Sequence, residues 1–213
     1  MSSFPLLDTL VSHPDRIRWN SRYQRRSNES GLIPPADLLD LTASCISPPD
    51  PVLELAGGPS GTALALAEAG HRVTVTDISD TALDRLSVAA QARGIVDRLT
   101  LIHADLTVWS PPSSTSYALV LCRFYWDAAV FRRACDWTAP GGMLVWEAPA
   151  LVAGRPVHGR AEWCLQPGEP ASLLPDPFTV VSDEDLEHHG AVVRRLVAQR
   201  AADPAAPGSE DKP

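Results

Sequence analysis

The stretch Pro51-Val-Leu-Glu-Leu-Ala-Gly-Gly-Pro-Ser-Gly61 decides the fold of this chain. It opens with a short apolar run, which is typical of a strand buried inside a parallel sheet. Glu54 lies near the end of that strand, and a turn of small residues leads into the helix-forming segment Thr62 to Glu68. A second apolar strand, Arg72 to Thr76, is followed by Asp77. Both acids are therefore expected at the carboxyl ends of adjacent strands, where an open α/β sheet binds its ligands.

Strands and helices continue to alternate along the chain. The pattern predicts a helix over Thr81 to Ala92, strands over Leu99 to His103 and Tyr117 to Cys122, a helix over Asp127 to Trp137, a turn at Pro140 to Gly142 and a strand over Met143 to Glu147. Strands joined by helices predict right-handed crossovers and a doubly wound parallel sheet. Two more strands are predicted over Phe178 to Val181 and Ala191 to Ala198.

The composition argues against several classes of protein. The net charge of −8 and a pI near 5.1 disfavour a nucleic-acid-binding protein, which needs a basic face. The four cysteines are far apart, so we expect reduced thiols of the cytoplasm and no metal site. We expect neither a membrane span nor a signal peptide. Abundant arginine, alanine and proline, with a single lysine, suggest a bacterial gene.

Glu54, the small-residue turn and Asp77 resemble the first motif, Asp/Glu-x-Gly-x-Gly-x-Gly, of the class I methyltransferases that depend on S-adenosyl-L-methionine (SAM). Gly58 is kept, whereas Ala56 and Ser60 replace the first and third glycines. Alanine and serine lack glycine's easy access to positive φ, so these two residues are expected to affect cofactor affinity. If residue 60 lies near that region, Ser60→Gly should bind the cofactor at least as tightly as the parent.

The same turn also fits the dinucleotide fingerprint G-x-G-x-x-G, with Ala56 in place of the first glycine. Three features favour the methyltransferase interpretation. Dinucleotide-binding turns usually have an apolar residue where this chain has Glu54, and the single lysine, Lys212, cannot complete a Tyr-x-x-x-Lys site. The chain of 213 residues also leaves no room for a separate substrate domain.

The resemblance implies a set of cofactor-binding residues at the ends of the first four strands. Those implied for the methionine moiety are Glu54, which would contact its ammonium group, and the backbone of Ala56, Gly57 and Gly58. Those implied for the nucleoside are Asp77 at the ribose hydroxyls, Ile78 at the adenine, and Asp105 near the adenine amino group with Ala104 and Leu106 beside it. Cys122 would lie beneath the sulfonium.

The segment Trp19-Asn20-Ser21-Arg22-Tyr23 resembles the Trp-Asp-x-Arg-Tyr pattern of tellurite-resistance and thiopurine-type methyltransferases. The resemblance implies that Trp19 lies near the sulfonium. It also implies that Arg22 reaches the methionine carboxylate and that Tyr23 reaches the sulfur. The alternative is that Trp19 and Tyr23 anchor a helix to the core.

These observations predict one SAM-dependent methyltransferase domain over residues 1–200, with a helical cap or lid at 1–45, a core at 46–200 and a disordered tail at 201–213. The fold implied by the resemblance is a mostly parallel, seven-stranded, Rossmann-like sheet closed by a C-terminal antiparallel hairpin. We expect a cytoplasmic monomer or homodimer that yields S-adenosyl-L-homocysteine (SAH).

The expected acceptor is a small molecule, with a thiol or chalcogen as one kind of nucleophile. Arg123, Phe124, Tyr125 and Trp126 are expected to line its pocket, and no residue is selected as the catalytic base; His158, His188 and His189 are interpreted as exposed loop histidines. An NAD(P)-dependent oxidoreductase and a non-catalytic SAM-binding protein are the alternatives.

Overall fold

A computed structural model describes residues 10–26, 31–155 and 161–203. These residues form one seven-stranded sheet with helices on both faces. The strands are β1 (Pro51–Leu55), β2 (Arg72–Asp77), β3 (Leu99–His103), β4 (Tyr117–Arg123), β5 (Thr138–Pro149), β6 (Phe178–His188) and β7 (Ala191–Arg200). The helices are α1 (Pro14–Gln24), α2 (Ala36–Cys45), α3 (Gly61–Glu68), α4 (Asp80–Arg93) and α5 (Ala128–Trp137).

The strand order is β3-β2-β1-β4-β5-β7-β6. β1 to β5 are parallel, and β7 runs antiparallel to both of its neighbours, β5 and β6. The predicted mostly parallel sheet with a closing antiparallel hairpin is therefore confirmed. The order reverses at β1, because β2 lies on one side of it and β4 on the other. This reversal is the place where a doubly wound sheet opens a crevice for a ligand.

Apolar side chains fill both faces of the sheet. Residues of α2, α3 and α4 pack on one face, around Val75 and Leu121. Residues of α5 pack on the other face, where Phe131 meets Trp146 at 5.1 Å between ring centroids. β1 is buried on both sides, which explains why its sequence is almost continuously apolar.

The structure extends two predicted strands. β5 begins at Thr138, and the predicted turn at Pro140 to Gly142 forms an irregularity in its pairing with β4. β6 continues to His188 although its second half is mainly acidic. Arg194 on β7 donates to the paired Asp185 at 2.8 Å, so cross-strand ion pairs replace the apolar pattern there.

Helix α1 lies outside the two apolar cores and packs against α4. No residue of α1 is buried, so polar contacts rather than core packing hold it there. Within the described residues, no helix has the length and apolar character needed to cross a membrane. The tail predicted to be disordered starts at residue 201, and its residues 204–213 lie outside the described part of the chain.

Candidate cofactor and acceptor site

The turn after β1 requires glycine at two positions. A Cβ on Gly57 would lie 2.7 Å from Val75 Cγ1, and a Cβ on Gly58 would lie 2.5 Å from the Tyr23 hydroxyl oxygen. Ala56 and Gly58 both have positive φ, of 50° and 58°. The small residues therefore allow the backbone to turn tightly beneath Tyr23.

Glu54 is buried beside this turn with a serine hydroxyl as its partner. Its carboxylate oxygens lie 2.8 and 2.7 Å from Ser60 Oγ, and the side chain is almost inaccessible to solvent. Burial raises the pKa of Glu54 to about 7, against the opposing effects of the Ser60 hydrogen bond and the Arg123 charge. A cation placed against Glu54 would therefore favour its ionised form.

Asp77 is the second buried acid and faces the same turn. Its Oδ2 accepts a hydrogen bond from the Gly58 amide at 2.8 Å, and its Oδ1 accepts one from the Ser79 amide at 2.7 Å. Burial raises the pKa of Asp77 to about 6 despite these bonds. Each carboxylate oxygen can accept a further hydrogen bond, which suits a pair of ribose hydroxyls.

The expectation that Ser60 lies near positive φ is wrong. Ser60 has φ −76° and ψ 115°, and its hydroxyl accepts the Ala63 amide hydrogen bond as the N-cap of α3. Ser60 therefore joins the start of α3 to the Glu54 carboxylate. Of the two residues that replace a glycine of the motif, Ala56 is the one with a positive φ.

The aromatic residues of α1 lie over the turn. Tyr23 contacts Gly58 directly, and Trp19 stacks on Tyr23 with 5.9 Å between ring centroids. The Arg22 guanidinium lies 5.2 Å from the centre of the Trp19 ring. No hydrogen-bond acceptor contacts Arg22 within the described ranges, so its donors remain available to a ligand carboxylate.

Asn20 holds α1 to the start of α4. Its side-chain amide donates to Asp80 at 2.7 Å, and its carbonyl oxygen accepts from the Ser79 hydroxyl at 2.6 Å. Arg16 donates to both oxygens of Asp80. An aspartate at position 20 could not donate to Asp80, which explains why asparagine stands here in place of the aspartate of the resembled pattern.

The residues predicted for the adenine lie beside Asp77 at the end of β3. The Ala104 amide donates to the Asp77 carbonyl oxygen at 3.0 Å, and the Asp105 carboxylate accepts from the Thr107 amide. Ala104 and Leu106 are buried, whereas Ile78 and Asp105 are partly exposed. His13, just before α1, lies 3.5 Å from Asp105.

The Cys122 thiol points into the apolar core shared with α5 and is fully buried. Its sulfur contacts the Tyr125 carbonyl oxygen at 3.8 Å, and burial raises the pKa of the thiol well above its usual value. Any contact of Cys122 with a cofactor would therefore be made by its backbone at the end of β4.

A cavity of about 360 Å³ opens at the ends of β4 and β5. Of the four residues expected to line the acceptor pocket, Arg123 and Phe124 line this cavity, whereas Tyr125 and Trp126 pack against the core on the α5 face. His188 also lines the cavity from the end of β6 and packs on Phe124, so its interpretation as an exposed loop residue is wrong. His158 lies outside the described residues.

The sequence did not point to Glu147 and Arg195, which line the same cavity. Glu147 is buried and accepts hydrogen bonds from Arg123 and Arg195. A signal for Arg195 existed: consecutive arginines in an apolar strand must point to opposite faces, so one of them faces the core side.

The residues around the turn fit SAM. Glu54 and Asp77 are two neighbouring buried carboxylates, and within the described part of the chain neither has an ion-pair partner. SAM carries an ammonium group, a sulfonium and two ribose hydroxyls, which match an uncompensated acid, an aromatic roof and a doubly accepting carboxylate. Glycine at positions 57 and 58 leaves the backbone bare for close approach.

Comparison with known proteins agrees with this geometry. The family model of a methyltransferase domain matches residues 52–142. The chain is also similar to the tRNA 5-carboxymethoxyuridine methyltransferase of Escherichia coli (strain K12), with 31% identity over 137 residues, covering 59% of this chain and 52% of the relative. The chain thus spans about half the length of the curated relative that it matches.

Solved structures share the fold at low sequence identity. TehB from Haemophilus influenzae matches with a TM-score of 0.70 and 14% identity, over 85% of this chain and 66% of that one. The magnesium protoporphyrin IX methyltransferase ChlM from Synechocystis PCC 6803, solved with bound SAM, matches with a TM-score of 0.60 and 16% identity, over 93% and 86% of the chains.

The sheet order and the matched segment correspond to a class I methyltransferase fold. SAM fits the acid-flanked turn of this fold. Over residues 52–142 this chain matches the methyltransferase domain of that class. The oxidoreductase alternative is thereby set aside.

Proposed function

We propose that this protein transfers the methyl group of SAM to a small-molecule acceptor bound in the cavity beyond β4 and β5. The observation that carries the proposal is the pair of buried acids, Glu54 and Asp77, on either side of a turn that has no room for side chains at two positions. Burial makes the ionised form of each acid costly, and a ligand with a cationic group against Glu54 would offset that cost.

Each residue has a stated task in this proposal. Glu54 holds the methionine ammonium, Asp77 accepts the ribose hydroxyls, and Arg22 reaches the methionine carboxylate. Ala104, Asp105, Leu106 and Ile78 surround the adenine, and the backbone of Cys122 lies beneath the sulfonium. When bound, SAM supplies an electrophilic methyl group on its sulfonium.

Residues 1–45 form a lid in this proposal. Trp19 and Tyr23 already lie over the turn, and Arg18 reaches across to the Trp163 ring at 4.2 Å. This contact links α1 to the segment after β5. A roof made of both segments excludes water from an in-line displacement, which depends chiefly on positioning.

A thiol or another chalcogen is the proposed nucleophile. No lysine occurs in the described residues to act as a base. Of the residues that line the cavity, His188 carries an imidazole. A soft thiol-like nucleophile is partly ionised near neutral pH and therefore needs little help from a base. A cytoplasmic location agrees with the four cysteines, which form no disulfide with one another.

The relative named above acts, by its name, on a tRNA nucleoside. We do not extend that substrate to this chain, because its net charge of −8 opposes the phosphate contacts on which RNA binding depends. Bulk tRNA nevertheless belongs in the assay as a separate acceptor.

The proposal is tested by SAH release from SAM in the presence of small thiols, selenols or tRNA. We expect SAH release with a small thiol or selenol, and none after Asp77→Asn, which also weakens SAH binding by about tenfold or more because a charge-assisted acceptor is lost. Asp97→Asn is the matched control, since Asp97 is an exposed acid remote from the turn. Tight SAH binding without turnover of any acceptor would favour the non-catalytic alternative.

A further inference from the structure

A row of three charged residues crosses the sheet beside the cofactor turn. Arg123 on β4 pairs in register with Glu147 on β5, and Glu147 pairs in register with Arg195 on β7. The buried Glu147 accepts a hydrogen bond from the Nε atom of each arginine. Because two arginines already neutralise its charge, Glu147 offers no uncompensated negative charge to a cationic ligand.

The two arginines differ in what their terminal nitrogens do. Nη2 of Arg195 donates to Asp37 at 2.6 Å, which completes a chain of alternating charges. Within residues 10–26, 31–155 and 161–203, Nη1 and Nη2 of Arg123 have no hydrogen-bond acceptor. Arg123 lines the cavity, and its guanidinium lies 4.9 Å from the Phe124 ring.

Arg123 is therefore held in place by Glu147 through Nε and has a pair of terminal donors left over. That pair of N–H groups matches the two oxygens of a carboxylate, which it can bind in a bidentate manner. The other acids of the cavity do not compete for it: Asp37 is bound to Arg195, and Glu187 to Arg155.

The position of Arg123 relates this pair of donors to the cofactor site. Leu121, two residues before Arg123, pairs in register with Glu54, so Arg123 points to the same face of the sheet as Glu54. The Arg123 charge also acts on Glu54. An anion bound at Arg123 would thus lie next to the methionine end of SAM, on the side of the cavity.

We infer that the methyl acceptor carries a carboxylate, which the Nη1 and Nη2 atoms of Arg123 bind while Glu147 and Arg195 position Arg123. This inference rests on the proposed function, because it assigns the cavity to the acceptor. It narrows the substrate class to small anionic molecules, such as carboxylic acids that carry a separate thiol group, and disfavours amines and neutral thiols.

Binding and turnover test the inference separately. With SAH bound, calorimetric titration compares benzoate, benzamide and benzylamine as probes of the cavity. We expect benzoate to bind about tenfold or more tightly than benzamide, because its charge-assisted bonds are stronger than neutral ones. In turnover, 2-mercaptobenzoate should be preferred to thiophenol by a similar factor in kcat/KM.

Three variants locate the preference. Arg123→Gln should abolish the preference for benzoate, and Arg123→Lys should retain part of it, since lysine keeps the charge and loses the bidentate geometry. Lysine also keeps a cation beside Glu147, so this variant remains informative where the glutamine variant is poorly folded. Arg132→Gln, at an exposed position of α5, should behave as the parent.

The outcomes separate this inference from the proposed function. Equal binding of benzoate and benzamide, tighter binding of benzylamine, or an unchanged preference in Arg123→Gln would overturn it. A parallel loss of SAH affinity in Arg123→Gln would also overturn it by assigning Arg123 to the cofactor. Absence of SAH release with every thiol, while the preference for benzoate persists in binding, would count against the proposed function and leave the anion site supported.

Discussion

Ala56 and Ser60 both replace glycine in the resembled motif, yet their backbones differ. Ala56 has a φ of 50°, whereas Ser60 is extended and caps α3. A left-handed conformation costs a non-glycine residue roughly 1–2 kcal/mol. Strain in the turn therefore resides at Ala56, and the hydroxyl of Ser60 has a structural task that glycine cannot perform.

Two glycine substitutions in this one turn should have opposite effects. Ala56→Gly should bind SAH at least as tightly as the parent with little change in stability, because relief of strain offsets the greater freedom of the unfolded chain. Ser60→Gly should lower the free energy of unfolding by about 1–3 kcal/mol, since the buried Glu54 loses its donor. Urea unfolding and calorimetric titration with SAH measure both effects.

Each of the two variants is a control for the other, because each adds one glycine to the same loop. Equal stability losses in the two variants would show that the loop responds to glycine itself rather than to the hydroxyl. Tighter SAH binding by Ser60→Gly would restore the original expectation for this position.

At the scale of the element, α1 has no buried residue and is held to α4 by polar contacts. Asn20 bridges Ser79 and Asp80, while Arg85 donates to the Tyr23 carbonyl oxygen. Since no residue of α1 is buried, loss of the Asn20 bridge should release the helix without unfolding the sheet.

Asn20→Asp tests this attachment by placing a second carboxylate against Asp80. We expect faster hydrogen exchange over residues 14–24 and SAH binding weaker by about tenfold, because like charges at hydrogen-bond distance repel. The melting temperature should fall little. Gln24→Glu, the same chemical change at an exposed position of α1, is the matched control.

Protection of residues 14–24 at the level of the parent would show that α1 does not depend on the Asn20 bridge. Faster exchange combined with unchanged SAH affinity would place the lid assignment of residues 1–45 in error.

Features that depend on one continuous segment of sequence could be predicted, whereas features that depend on contacts between strands could not. β1 and β4 are almost continuously apolar, so their place in a buried parallel sheet could be predicted from pattern alone. The extension of β6 could not, because its ladder depends on partners in β7 such as Arg194. The Arg123–Glu147–Arg195 row could not either, since it exists only once β4, β5 and β7 are in register.

At the scale of the whole molecule, the buried acid Glu54 makes stability depend on pH. The pKa of Glu54 is about 7 in the folded state and near 4.5 when unfolded, so between these values the folded protein holds a proton that the unfolded chain has released. Stability is therefore highest below pH 4.5 with respect to this group and falls as the pH rises toward 7. At about 1.4 kcal/mol per unit, Glu54 contributes a loss on the order of 3 kcal/mol.

Glu54→Gln removes this titration and keeps a polar partner for Ser60. We expect the variant to be more stable than the parent above pH 7, with the difference shrinking toward pH 4.5, as measured by urea unfolding across that range. A difference that stays constant with pH would show that Glu54 does not titrate in this window. Asp97→Asn serves again as the control, because Asp97 is exposed.

The two sides of the site come from different parts of the chain. The acids and the turn that suit SAM are supplied by residues up to Asp105, whereas Glu147 and Arg195 lie in the part that joins β7 to the sheet. The family model matches residues 52–142 and stops before both of them. In the proposed site, Arg123 lies within the matched segment, whereas the two residues that position it lie outside it. Substitutions at Glu147 and Arg195 would therefore change acceptor binding while every proposed cofactor-binding residue stays the same.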